Sequence, residues 1–169
     1  IVNTDINNSN LDNIIIENNV ITELSTSPGS VKGIHLHNEN NGLLLEISNT
    51  IVRNNRISEI LGVSSGAYGI QMVNDMNGVL IEDNIVTEVS SPGWAFGIAV
   101  DCHGGIPTVT DININNNQVE ILSSLSSAAV LVESCAYAST ITLRENNLVS
   151  GLANLGAETL DAENNWFGS

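Results

Sequence analysis

Six asparagines recur in one local frame along this chain: Asn19, Asn55, Asn84, Asn117, Asn146 and Asn165. Each lies three residues after an aliphatic residue or alanine and two before an apolar one, in the segments IENNVI, VRNNRI, IEDNIV, INNNQV, LRENNL and AENNWF. The intervals are 36, 29, 33, 29 and 19 residues, too irregular for helical repeats of fixed length but natural for coils whose loops vary. Self-similarity on this scale is the mark of a solenoid. Short alternating stretches such as Val79-Leu80-Ile81 and Ile112-Asn113-Ile114 predict strands of a few residues, and no stretch carries a helical period.

A second segment follows each asparagine: Gly33-Ile34-His35-Leu36, Gly69-Ile70-Gln71-Met72, Gly97-Ile98-Ala99-Val100 and Ala129-Val130-Leu131-Val132, with Ala157 to Leu160 as the fifth equivalent. It begins 14, 14, 13, 12 and 11 positions after its asparagine, so the connection shortens toward the C-terminus. The residue two before each asparagine gives another column: Glu17, Arg53, Glu82, Asn115, Arg144 and Glu163. Opposite charges alternate in it, as cross-strand neighbours should.

These residues resemble the right-handed parallel β-helix of the pectate-lyase-like repeat proteins over essentially the whole chain. The ending Asp161-Ala162-Glu163-Asn164-Asn165-Trp166-Phe167-Gly168 is similar to the Asp-Ala-x-x-Asn-Trp-Trp-Gly close of secreted repeat proteins of this type, with Phe167 in place of the second Trp. The resemblance implies an all-β, single-stranded β-solenoid of about five to six coils, with an inward asparagine ladder at the tight turn between two strands. Residues 1–169 read as one domain, a mature segment or fragment of a longer extracellular protein. Asparagine suits a corner near the left-handed region, and its amide can donate and accept along the stack. Coils about 4.8 Å apart make identical residues direct neighbours.

Composition supports this and narrows the function. There are 25 asparagines, 42% hydrophobic residues and 4% aromatics, which suits a narrow aliphatic core. A net charge of −15 argues against nucleic acid, whose binding needs a basic face. No apolar run approaches about 18 residues, so no membrane span is expected. Cys102 and Cys135 fall in consecutive coils, close enough for a disulfide, with two small buried thiols as the alternative. Asn7-Asn8-Ser9 is the one glycosylation sequon.

Chemistry is sought on the outer face of the Gly-Ile strands. With Ile34 and Leu36 inward, His35, His37 and Glu39 point out. Gln71, Val73 and Asp75 follow, then Ala99, Asp101 and His103, then Leu131, Glu133 and Cys135. Asp101 and Glu133 fall in one column, the spacing that paired-carboxylate hydrolysis requires. Lys32 is the one basic residue near this face, where a polysaccharide lyase needs a cation and a base. His35, His37, Asp75, His103 and Trp94 are candidates for ligand binding. Tyr68, Trp94 and Phe96 flank the face, and Tyr137 is the other aromatic away from the C-terminus.

Glu23, Glu59 and Glu88 form a further acidic stack, in which the side chains splay into water or hold calcium. No cofactor is required by anything else in the sequence. Two readings follow. One is a non-catalytic extracellular or cell-surface solenoid, a stalk, adhesin or filament unit that self-associates through its ends. The alternative is a carbohydrate-active module, lyase, hydrolase or sugar-binding surface, with a polysaccharide partner.

Overall fold

The computed structural model describes residues 2–7, 11–26, 28–39, 46–101, 109–133, 141–155 and 160–168. Described residues are all β or irregular, with no helix long and apolar enough to cross a membrane. The chain enters through β1 (Val2–Asn7). The first turn comprises β2 (Leu11–Asp12), β3 (Ile15–Glu17), β4 (Val20–Ile21), β5 (Leu24–Thr26) and β6 (Val31–Glu39). The second comprises β7 (Ile47–Arg53), β8 (Arg56–Ile57), β9 (Ile60–Gly62) and β10 (Ala67–Val73). Three longer strands make the third turn, β11 (Met76–Glu82), β12 (Ile85–Ser90) and β13 (Trp94–Asp101). The fourth has β14 (Val109–Asn115), β15 (Gln118–Ser123) and β16 (Ser126–Val132). Shorter strands β17 (Ile141–Arg144), β18 (Asn147–Leu148) and β19 (Leu152–Asn154) follow, then two isolated bridges, Thr142 with Asp161 and Asn147 with Trp166.

Every pairing is parallel, and each strand meets its counterpart one turn away, which makes three stacked sheets. The first sheet runs β1-β6-β10-β13-β16-β19 and holds the first four Gly-Ile segments; its last strand, opposite Val130 to Val132, is β19 and not the expected Ala157 to Leu160. The second runs β17-β14-β11-β7-β2, with β3 also on β7; the third runs β18-β15-β12-β8-β4, with β9 between β12 and β5. The result is a β-solenoid of about four turns. The expected five to six coils counted asparagines, and these number the rungs of a ladder that reaches past the full turns.

The ladder is continuous. Each Nδ2 donates to the Oδ1 of the asparagine one rung on: Asn19 to Asn55 (2.9 Å), Asn55 to Asn84 (3.0 Å), Asn84 to Asn117 (3.0 Å), Asn117 to Asn146 (3.0 Å) and Asn146 to Asn165 (2.8 Å). The same Oδ1 also accepts the previous asparagine's main-chain N–H, as in Asn84 N–H to Asn117 at 3.0 Å. Each Nδ2 from Asn55 onward donates backward as well, to the carbonyl of the aliphatic residue in the preceding rung: Ile16, Val52, Ile81, Ile114 and Leu143. One amide thus ties three rungs together, which is why a polar side chain only 0 to 1% exposed is tolerated at Asn55, Asn84, Asn117 and Asn146.

The left-handed corner expected at these asparagines lies one residue earlier. Positive φ falls on Asn18 (59°), Asn54 (54°), Asp83 (55°), Asn116 (53°), Glu145 (58°) and Asn164 (57°). The turn residue sets the backbone, and its successor, with ordinary backbone, supplies the amide. Two more left-handed columns bend the chain: Asn13, Asn49, Gly78 and Asp111, six residues before the ladder, and Glu23, Glu59 and Glu88, four after it.

The core is aliphatic and dry, with Ile34, Ile57, Ile70, Ile81, Ile98 and Ile112 fully buried. In β10, Ala67, Ile70 and Met72 face it while Tyr68 faces out, so the alternation breaks once, at Gly69. A Cβ there would lie 2.3 Å from Val86 Cγ1 and 2.6 Å from the Gly97 carbonyl oxygen, and Gly33 and Gly97 are equally confined. The glycine of each Gly-Ile segment is therefore set by a close approach.

The predicted charge column is in register, Glu17 against Arg53, Glu82 and Asn115, then Arg144. Arg53 Nε donates to Glu17 Oε2 at 2.7 Å. Arg144 lies 3.9 Å from Glu163, but its closer partner is Asp161.

Candidate functional site

The outer face of the first sheet, where chemistry is sought, is largely covered. Tyr68, Phe96, Ala99, Ala128 and Leu131 form a second apolar cluster there, each at most 9% exposed, with Ala153 packed against it. Its polar positions are shielded too: His35 is 7% exposed, Gln71 3%, Asp75 8% and Asp101 1%. Over Ala67 to Val73 and Ala95 to Asp101 the sheet is buried on both sides. Segments such as AYGIQMV and WAFGIAVD carry that signal as near-continuous apolar runs, which parallel strands covered on both faces show.

Register places the candidates. His35, Gln71, Ala99, Leu131 and Ala153 share one column; His37, Val73 and Asp101 share the next, and Glu133 continues it. Asp101 and Glu133 are thus brought together one turn apart, about 5 Å by the spacing of parallel strands. Asp75 lies two residues beyond that column. Asp101 Oδ2 accepts a hydrogen bond from Gln71 Nε2, so this carboxylate is held inside the face.

Lys32 falls in the Tyr68 column, two turns and five residues from Asp101, and its Nζ is 3.5 Å from His35 Nε2. From strand rise and spacing, the Lys32 and Asp101 α-carbons are about 19 Å apart. The lyase set of a base beside an acidic metal site is not assembled from these residues. The His35 and His37 rings lie side by side, centroids 5.5 Å apart. His103, Cys102, Cys135, Tyr137 and the Asn8-Ser9 part of the sequon fall outside the described residues, as does the side chain of Glu39.

One aromatic at the rim is exposed and fixed. Trp94 is 41% exposed, and its Nε1–H donates to the Tyr68 hydroxyl at 2.8 Å. A Cβ on Gly66 would lie 2.0 Å from Trp94 Nε1, so the indole rests directly on that glycine. Tyr68 also stacks obliquely with Phe96, centroids 5.8 Å apart. Burial, then the nearby Asp101 charge, pushes the Tyr68 phenol up to about 12.

Glu23, Glu59 and Glu88 stack as predicted, since Leu24 pairs with Ile60 and Ile60 with Val89. They are exposed and line one wall of an open groove of about 370 Å³ on the third sheet, with Leu24, Leu61 and Leu122 beside them. Among the described residues, no three His, Cys, Asp or Glu side chains converge closely enough to hold a metal ion. Sequence reasoning found the glutamates but missed Leu61 and Leu122, because it placed no register on that sheet.

Compared with known proteins, the chain matches no family model, no curated protein and no solved structure. Its function is therefore argued from geometry.

Proposed function

We propose that the chain is a non-catalytic solenoid of the pectate-lyase-like kind, with a structural role outside the cell or at its surface as a stalk, adhesin or filament unit. The observation that carries this is the closed outer face of the first sheet, where Asp101 is 1% exposed and five apolar side chains fill the place of a groove. Asp101, one member of the carboxylate pair, is thereby withheld from a polymer. Self-association would use the C-terminal end, where Trp166 is 59% and Phe167 51% exposed, because the first-turn core residues Leu11, Ile16 and Ile21 are each only 6% exposed.

The test is particle form together with turnover. Electron microscopy of the purified protein is expected to show rods or filaments, and polyuronates and neutral polysaccharides, with and without calcium, are expected to yield no unsaturated products or new reducing ends. Dispersed monomers that cleave any of these polymers would overturn the proposal.

The fixed indole of Trp94 favours a second reading, a sugar-binding rim in which an exposed ring stacks on a pyranose. Tryptophan fluorescence titrated with oligosaccharides should saturate in the wild type and not in Trp94→Ala. Identical curves would remove this reading.

A further inference from the structure

Along one edge of the third sheet lie four of the ten exposed large apolar side chains of the described residues. Leu61, Val63, Leu122 and Leu125 are 47, 49, 59 and 91% exposed, in or just after β9 and β15. Two register shifts between β12 and β15 shape this edge. Val86 pairs with Val119 and Val89 with Ile121, so Glu120 alone stands opposite Thr87 and Glu88 and the left-handed corner is missing from the fourth turn; Ser90 pairs with Ser123, so that turn gains Leu122. Glu120 does not line the groove, so its glutamate wall ends at the third turn, and the extra leucine closes it. Bulges that re-aim a side chain in this way are features of function more often than defects.

The groove therefore offers two surfaces side by side: carboxylates repeating at about 4.8 Å and exposed leucines. Its occupant must bring positive charge and apolar side chains together. A second copy of this chain is a poor match, because the net charge is −15 with four Lys and Arg in all, of which Arg53 and Arg144 are already held in ion pairs. Like-charged surfaces repel, whereas complementary ones steer association and fix its register. We infer that this groove docks a basic amphipathic segment of another protein, its lysines or arginines along Glu23, Glu59 and Glu88 and its apolar side chains on Leu61 and Leu122.

The probe is a fluorescent dodecapeptide of Lys and Leu, followed by anisotropy at physiological salt, with spermine and a Glu/Leu peptide as competitors. Glu23→Gln/Glu59→Gln/Glu88→Gln and, separately, Leu61→Ser/Leu122→Ser should each weaken binding about ten-fold or more. Asp83→Asn/Asp111→Asn/Glu145→Gln, which removes the same charge from other corners, should weaken it less than about two-fold. Thermal melts establish that each variant is folded, and Glu59→Gln alone serves if a triple variant is not. Equal loss in the two charge variants would reduce the effect to diffuse attraction. Undiminished binding in the leucine variant, with spermine competing as well as the peptide, would leave a bare cation surface; either result overturns the inference.

Discussion

Asparagine earns its place in this fold through the valence of one amide. Asn84 donates to Asn117 and to the Val52 and Glu82 carbonyls, and accepts from Asn55 twice. Asn84→Ala strands several of those groups in a dry interior, and a loss of about 3 kcal/mol is expected in denaturant unfolding. Asn19→Ala, at the half-buried first rung, should cost about 1 kcal/mol.

The ladder was legible because its chemistry demands one residue type at one position. The corner before it was not, because Asn, Asp and Glu all occupy it. At Glu59 a non-glycine residue holds φ of 56° beside two like charges, so Glu59→Asn should raise stability by about 0.5–1 kcal/mol, read by the same unfolding. Tyr68 shows the sign of burial. Its folded pKa is raised from 10.0 to about 12, so its contribution is fully present below pH 10 and is lost as pH rises from 10 to 12. Phenolate absorbance should show this tyrosine titrating late, and Tyr68→Phe should remove its share of the alkaline loss.

Strand alternation told which side chains line the core, and Ile34, Leu36, Ile70 and Ile98 are all there. It did not tell that the opposite side of the first sheet is covered, because an outward position can be wet or packed in the same alternating pattern. Val73, Ala99 and Leu131 at outward positions were the warning. Hence His35, Asp75 and Asp101, chosen as outward, turned out to be shielded, while His37 and Glu133 are half-buried. The third sheet hid its groove for a different reason: the shifts at Glu88 and Leu122 change register between turns, and frames counted from the ladder carry straight through them. The glycine column is the clearest element-level constraint. Gly69→Ala drives a methyl against Val86 and the Gly97 carbonyl, and a loss of about 1–3 kcal/mol is expected in thermal or denaturant unfolding.

On the scale of the whole molecule, 19 acidic residues face four basic ones, and the ion pairs at Arg53 and Arg144 are exposed. Salt weakens both the repulsion and the pairs. The repulsion is the larger sum, since exposed pairs contribute at most about 1 kcal/mol each. Raising ionic strength from about 0.01 M to about 1 M, which shortens the screening length from about 30 to about 3 Å, should therefore raise the melting temperature; a fall would mean that the pairs dominate.

The amides of the asparagine ladder all point the same way, carbonyl oxygen toward the preceding rung and N–H toward the next. Dipoles aligned in series add, as they do along a helix. This solenoid therefore carries an electrical direction, negative at the Asn19 end and positive at the Asn165 end. Its two ends are chemically unlike, and units stacked in a column lie lowest in energy head to tail, all running the same way.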